Sequence, residues 1–318
     1  MFLMSNKRSD FPRLFLQTVG KPVREDVRLR DHSNFKIGGP ADFFFEAESD
    51  GELRSAVRSA RDGGVPFYII GGGFNILFDD AGFRGLILRN SARGLALVDP
   101  GWRLKAASGT LISELVDFVL GTGREGFEFM AGIPGTVGGA VSGNAGAFGQ
   151  CIGDFLEDAV LLSRRGEEVR VSRDHFEFGY RHSKLKIDHD ILLEATFRLR
   201  PGDREVIWAK IAGNLAVRTK RHPDPDTAYA GSYFKNPPLV EGKKTAAGYL
   251  LEQVGAKELE IGGAAVFPGH CNLLINADNA TARDVLALAA ELKDRVKAKF
   301  GIVLEEEVIF LPSTVSGL

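Results

Sequence analysis

Apolar positions along this 318-residue chain follow two rhythms, and the switch between them divides it. Leu53, Ala56, Val57 and Ala60 repeat at the helical period. Ser49-Asp50-Gly51-Glu52 has the spacing of a capping box before them, and Gly63-Gly64 supplies the stop. The apolar runs 41–47 and 65–70 on either side are of strand type, giving strand, helix, strand. Runs 95–99 and 103–107 flank the turn pair Pro100-Gly101, and runs 159–163 and 168–171 flank Arg164-Arg165-Gly166, so both read as hairpins. A helix over 111–120 and a long strand over 191–200 complete a strand-rich middle. Beyond Pro201-Gly202-Asp203 the rhythm becomes helical, with Ile207, Ile211 and Leu215 on one face. Helices over 245–254 and 281–299 there bracket a strand near 272–276. A last strand-like run, 302–311, sets Glu305, Glu306 and Glu307 beside apolar neighbours. The pattern predicts an α+β protein: a loose extension over 1–20, an α/β unit over 21–92 to which 308–318 returns, a second over 93–202, and an α+β domain over 203–307.

Glycine interrupts this pattern twice. The strand-like run 65–70 ends in Gly71-Gly72-Gly73-Phe74-Asn75-Ile76-Leu77, and residues 132–149 carry seven glycines in eighteen positions. A glycine inside an element costs about 0.5–1 kcal/mol relative to alanine, so repeated glycines suit backbone that lies flat against a ligand. A tight glycine turn without a ligand is the plainer alternative for the second stretch. The first loop offers backbone N–H groups suited to phosphate oxygens. It is not a P-loop, since no Gly-Lys-Ser/Thr follows, and Ile76 stands where a Rossmann fingerprint needs its third glycine. Gly121-Thr122-Gly123-Arg124-Glu125-Gly126 does match that fingerprint, but it follows a helical run and opens none, so it is a decoy.

A formal charge of −2 gives no reason to expect nucleic acid or an anionic membrane as partner. No run approaches eighteen apolar residues, so a soluble, cytoplasmic protein is expected. Two cysteines, Cys151 and Cys271, are too few for a disulfide framework or a four-cysteine zinc site. His175, His182 and His189 recur every seven residues, but Gly179 and a charged loop intervene, and no metal is expected.

Among groups able to carry chemistry, Tyr180-Arg181-His182-Ser183-Lys184 presents a phenol, a guanidinium and an ammonium within five positions. Arginine's planar fork suits a carboxylate or phosphate, although a solvated surface arginine is the commoner case. Ser232 lies between Gly231 and an aromatic pair and is either a proton donor or a turn residue. Glu307, among apolar residues, needs a partner such as Arg181 or a ligand if it is buried.

In order along the chain, Gly71 to Leu77, the stretch from Ala131 to Gly139 with Asn144-Ala145-Gly146, Tyr180-Arg181-x-Ser183, Gly231-Ser232-x-Phe234-Lys235-Asn236-Pro237 and Leu304-Glu305-x-Glu307-Val308 resemble the UDP-N-acetylenolpyruvoylglucosamine reductase (UDP-N-acetylmuramate dehydrogenase) family over about residues 30–311. The tract after Arg181 has no inserted loop with an extra tyrosine, which resembles the family's shorter subtype. The resemblance implies an FAD-binding fold of the vanillyl-alcohol-oxidase type in two subdomains, a C-terminal substrate domain, and NADPH-dependent reduction of the enolpyruvyl ether of a UDP-linked amino sugar in peptidoglycan precursor synthesis. By the same resemblance Gly71, Gly72, Gly73, Phe74, Asn75, Ile76, Gly132, Ile133, Pro134, Gly135, Gly138, Gly139, Asn144, Ala145 and Gly146 line the FAD. Arg181, Ser232 as proton donor and Glu307 are the implied catalytic groups. Tyr180, Lys220 or Arg221, Lys235, Asn236 and His270 are the implied substrate contacts, and a monomer is expected. Phe74 stands in place of the family's usual serine, Gly143 in place of a larger residue, and Ile309 in place of a common basic residue. A flavin oxidase of the same fold and a flavin-free nucleotide-sugar binding protein are the competing readings, the latter favoured by Phe74.

Overall fold

The structure is a computed structural model describing residues 2–98, 101–163, 166–224, 226–238 and 245–315, with side chains from residue 10 onward. The turn residues Asp99, Pro100, Arg164 and Arg165, and the last three positions of the expected C-terminal return, lie outside the described residues. The chain opens with a helix, α1 (Phe2–Val19), where a loose extension was expected. Its order comes from two phenylalanines one turn apart. Phe11 and Phe15 are fully buried against Phe43 and Phe45, with ring centroids 4.8 and 5.0 Å apart. Each such burial is worth about 1.5–3 kcal/mol, enough to hold a helix that propensity alone leaves marginal.

The first unit then runs β1 (Arg24–Arg28), β2 (Pro40–Ala47), α2 (Asp50–Gly63), β3 (Phe67–Ile70), β4 (Ile76–Phe78) and β5 (Phe83–Asn90). Its sheet has the order β1-β2-β5-β3, antiparallel at β1 and parallel elsewhere. The Ser49 hydroxyl caps α2 by accepting from the N–H of Glu52, and left-handed Gly64 closes it. The Glu52 carboxylate reaches back to the N–H of Glu48 instead of Ser49, so the expected box is displaced by one residue.

The second unit contains β6 (Leu95–Val98), β7 (Arg103–Ala107), α3 (Ile112–Thr122), the short helix α4 (Val137–Ser142), β8 (Leu156–Leu162), β9 (Glu168–Ser172) and β10 (Ile191–Arg198). These strands form an antiparallel sheet ordered β9-β8-β10-β7-β6. Gly123 closes α3 at φ +64°, so the Gly-x-Gly-x-x-Gly match is a helix stop.

The third unit holds α5 (Arg204–Thr219), α6 (Ala247–Gln253), the antiparallel strands β11 (Glu260–Ile261), β12 (Ala264–Val266) and β13 (Leu274–Asn276), and α7 (Ala282–Phe300). Its core also takes in Phe35, Ile37 and Leu77 from the first unit. The run expected as one strand over 302–311 changes partner part-way. Residues 305–307 bond to 233–235, with a bridge at Phe234 and Glu306, while β14 (Ile309–Leu311) pairs in parallel with β4. The same crossing ties the third unit to the loop after β3. Among the described residues no helix is long and apolar enough to cross a membrane.

Candidate active site

The two glycine segments, some sixty positions apart in sequence, meet. A Cβ on Gly71 would lie 2.4 Å from Thr136 Oγ1, and one on Gly72 would lie 3.8 Å from the Cα of Gly135. At Gly71 the Thr136 side chain makes the contact, and no further side chain fits beside it. Gly73 is pinned on the opposite side, where a Cβ would stand 2.2 Å from the His32 carbonyl, and its own carbonyl accepts from Asn34 N–H at 3.0 Å. Thr136 is buried and caps α4 by accepting from Gly139 N–H, which fixes the turn that carries Gly135. Ile133 and Pro134 lie in that same turn, while Gly138 packs on Ser108 and donates to its carbonyl at 2.7 Å.

A second arrangement lies beside this wall and is made of side chains. Gly179 and His182 exchange backbone hydrogen bonds of 3.1 and 3.2 Å, placing Tyr180-Arg181 at the tip of a two-residue turn. Arg181 sits at φ +54°, a left-handed conformation that an arginine adopts at a cost. Three contacts hold it there. Lys186 Nζ donates to the Arg181 carbonyl at 2.9 Å, Ser183 Oγ donates to the Ser142 carbonyl at 2.8 Å, and Asn144 Nδ2 donates to the Gly179 carbonyl at 2.9 Å. Asn144 also accepts from Gly153 N–H, so its amide is committed to clamping this turn. The guanidinium reaches the Gly146 carbonyl at 3.3 Å from both terminal nitrogens, and its Nε lies 2.6 Å from Glu307 Oε1. That Nε–H is not aligned on the carboxylate, so the pairing is one of charge.

Glu307 is held from the far side. Its N–H donates to the Tyr233 carbonyl at 2.7 Å, and Asn75 Nδ2 donates to its carbonyl at 3.1 Å. Ser232, half-buried, precedes Tyr233 in the chain, so its hydroxyl and the Glu307 carboxyl hang from bonded neighbours. Burial pushes the Glu307 carboxyl above its usual value, and the charges of Arg181, Lys186 and Lys235 oppose that shift. Burial likewise lowers Lys186, which shares the surroundings of Glu307, Lys235 and Arg181.

Of the expected substrate contacts, Tyr180 accepts from Asn236 N–H at 3.2 Å, and Asn236 Oδ1 accepts from Ala247 N–H, locking the start of α6. Lys235 pairs with Glu305 at 3.1 Å. His270 stacks 6.3 Å from His222, within the field of Arg221. Lys220 ends α5, is exposed, and joins none of these groups. Residues outside the expected set also belong here. Arg218 Nε donates to the Gly132 carbonyl at 3.1 Å and couples α5 to the second glycine segment. Burial first, then Arg218, lowers His222 to about 4. Lys186 had a legible signal, five positions after Arg181, whereas Arg218 and His222 carry none on their own. Away from the site, His175, Asp188 and Asp190 place ligand atoms within 4.8 Å of one another, a grouping that histidine spacing did not expose.

The comparisons with known proteins decide the family. An FAD binding domain model matches residues 41–172, and a model of the UDP-N-acetylenolpyruvoylglucosamine reductase C-terminal domain matches residues 224–311. The chain is 39% identical to that reductase from Geobacter metallireducens, over 94% of this chain and 96% of the relative. It is 35% identical to the one from Clostridium botulinum (strain Alaska E43 / Type E3), over 95% of this chain and 96% of the relative. The chain belongs to the UDP-N-acetylenolpyruvoylglucosamine reductase family. The crystal structure of the reductase from Thermus caldophilus aligns at TM-score 0.76 and 30% identity, covering 91% of this chain and all of that one. This is an FAD-binding oxidoreductase, in a family that uses FAD and NADPH. An added Cβ would meet Thr136 at Gly71 and the His32 carbonyl at Gly73, while Gly135 opens onto free space, and this bare backbone surface fits a flat, extended cofactor of that kind.

Proposed function

We propose that the chain reduces the enolpyruvyl ether of UDP-N-acetylglucosamine enolpyruvate to UDP-N-acetylmuramate, and that Arg181, Ser232 and Glu307 do the work on the substrate side. The single observation that supports this best is the Arg181–Glu307 pair at 2.6 Å, set between the carbonyl of Gly146 and the segment that carries Ser232. The glycine segments 71–73 and 132–139 hold the FAD, which supplies the hydride taken from NADPH. The vinyl ether's π bond is replaced by two C–H bonds, one from that hydride at the terminal carbon and one from a proton at the adjacent carbon. Arg181 stabilises the negative charge that gathers on the substrate carboxylate between these events. A fixed cation in a half-dry site is worth far more there than in water.

Ser232 delivers the proton. A hydroxyl is a weak acid, so it needs a relay. Glu307 hangs from the neighbouring backbone and has a carboxyl that burial makes readier to hold a proton, which suits it to resupply Ser232. Lys186 keeps Arg181 in its left-handed turn. Tyr180, Lys235, Asn236, Arg221 and His270 face the nucleotide sugar, with Arg218 and His222 added. Their cations and ring nitrogens suit a diphosphate. The protein acts as a cytoplasmic monomer.

The purified protein is expected to be yellow, to oxidise NADPH slowly alone, and to do so rapidly once the enolpyruvyl nucleotide is added. A protein that cannot be reconstituted with FAD, or that reduces oxygen at the expense of an alcohol, contradicts this reading.

A further inference from the structure

The ring of Phe74 lies inside the glycine wall. A Cβ built on Gly72 would stand 2.5 Å from Phe74 Cε2 and 2.6 Å from Cδ2, on the side where Gly135 Cα is 3.8 Å away. The edge of the phenyl group therefore fills the direction in which Gly72 faces the second segment. Gly135, at φ +125°, has only open space on its own side-chain face. One lip of the cleft is bare backbone, and the other is covered by a ring.

The backbone that carries this ring is fixed on both sides. Gly73 accepts from Asn34, Asn75 accepts from Ile309 N–H at 3.1 Å, and the Asn75 amide holds the Glu307 carbonyl. The loop has little freedom to open around a ligand. A half-buried side chain can still move, by rotation between staggered wells about its Cα–Cβ bond. An aromatic ring also offers a phosphate a face that is electron-rich and donates no hydrogen bond.

We propose that Phe74 is a displaceable plug of the cofactor cradle: its ring must leave Gly72 before the diphosphate of FAD can lie against the loop. This rests on the reading that the two glycine segments hold that diphosphate. If the ring covers Gly72 about nine-tenths of the time, the competent fraction is about a tenth, and the apparent affinity for FAD falls about tenfold.

The test is titration of the full-length apoprotein with FAD, followed by flavin fluorescence at equilibrium and in stopped flow. Phe74→Ala and Phe74→Ser are both expected to bind FAD about tenfold more tightly, through faster association, with the apoprotein's melting temperature held within a few degrees. Weaker binding by Phe74→Ala would show that the ring packs on the cofactor, and would overturn the proposal. Tighter binding by the serine variant alone would assign the effect to a hydroxyl, and would overturn it too. A control separates this from failure of the cradle itself. In the Phe74→Ala background, Gly72→Ala puts a methyl group where the ring had been. If that methyl costs FAD affinity while Phe74→Ala alone gains none, the cradle stands and the plug is wrong. If neither change moves FAD affinity, both fail.

Discussion

The two sides of the site are built in opposite ways. The glycine wall, proposed to hold the cofactor, is shaped by what is missing: at Gly71, Gly72 and Gly73 a single added carbon would collide with Thr136, with the Phe74 ring or with the His32 carbonyl. The facing group is built from what is present, with Arg181, Lys186 and Lys235 gathering long side chains around the half-buried carboxylate of Glu307. The first is rigid and local, each segment contiguous in sequence. The second depends on strain and pairing, since Arg181 keeps a left-handed backbone through Lys186 and Asn144. Damage to the wall should therefore remove the cofactor, and damage to the side-chain group should spare the cofactor and remove the chemistry.

The largest effect is expected from Arg181→Ala. Turnover should fall by about three orders of magnitude, the scale of losing one preorganised charge partner, while bound flavin and melting temperature stay close to wild type. Loss of FAD from this variant, read from the absorption spectrum of the purified protein, would mean that the side-chain group, which touches the Gly146 carbonyl, also holds the cofactor.

Gly71→Ala is the reciprocal change. Its methyl group would meet Thr136 Oγ1 at 2.4 Å and the Thr136 Cγ2 at 3.1 Å, so the segments must part. Overpacking of this kind costs about 1–3 kcal/mol. FAD occupancy after gel filtration should drop in proportion, with little change in turnover per bound flavin. Unchanged occupancy would remove the wall's assigned role.

The smallest effect concerns His222. Its folded-state pKa is depressed to about 4 from the ordinary 6.5, chiefly by burial and then by Arg218 and His270. The sign follows from the neutral form being the native one. Its contribution to stability is complete above about 6.5 and is lost as pH falls toward about 4. His222→Gln should shrink the difference in melting temperature between pH 7 and pH 5 by a few degrees and leave the pH 8 value little altered. Equal pH dependence in the two proteins would mean that His222 is protonated freely in the fold.

Much of the architecture was legible because it rests on local rules. The Leu53–Ala60 periodicity with Gly64 beyond it, the hairpin around Gly101 and the helix stop at Gly123 each follow from a few adjacent residues. The N-terminal helix was not legible, because its order comes from Phe11 and Phe15 meeting Phe43 and Phe45 across thirty positions. The run 302–311 was read as one strand because sequence gives no sign that it exchanges 233–235 for β4 part-way along. Local chemistry singled out Arg181, Ser232 and Glu307 as separate points, and the family resemblance implied their roles. Neither showed that Asn144 clamps the arginine's turn or that Arg218 of α5 reaches the Gly132 carbonyl. Those contacts depend on how the units pack, which no single stretch encodes.

The claim at the centre of this account is that the side-chain group serves only the half of the reaction that involves the enolpyruvyl nucleotide. Ser232→Ala in anaerobic stopped flow tests it most directly. NADPH should bleach the bound flavin at close to the wild-type rate, because that half needs no proton from Ser232. Reoxidation by the enolpyruvyl nucleotide should slow by about two to four orders of magnitude, the usual worth of a positioned acid, and Ser232→Cys should recover part of the loss because a thiol, with a pKa of about 8.5, is the stronger acid. Wild-type reoxidation in both variants would make Ser232 a turn residue and contradict the assignment.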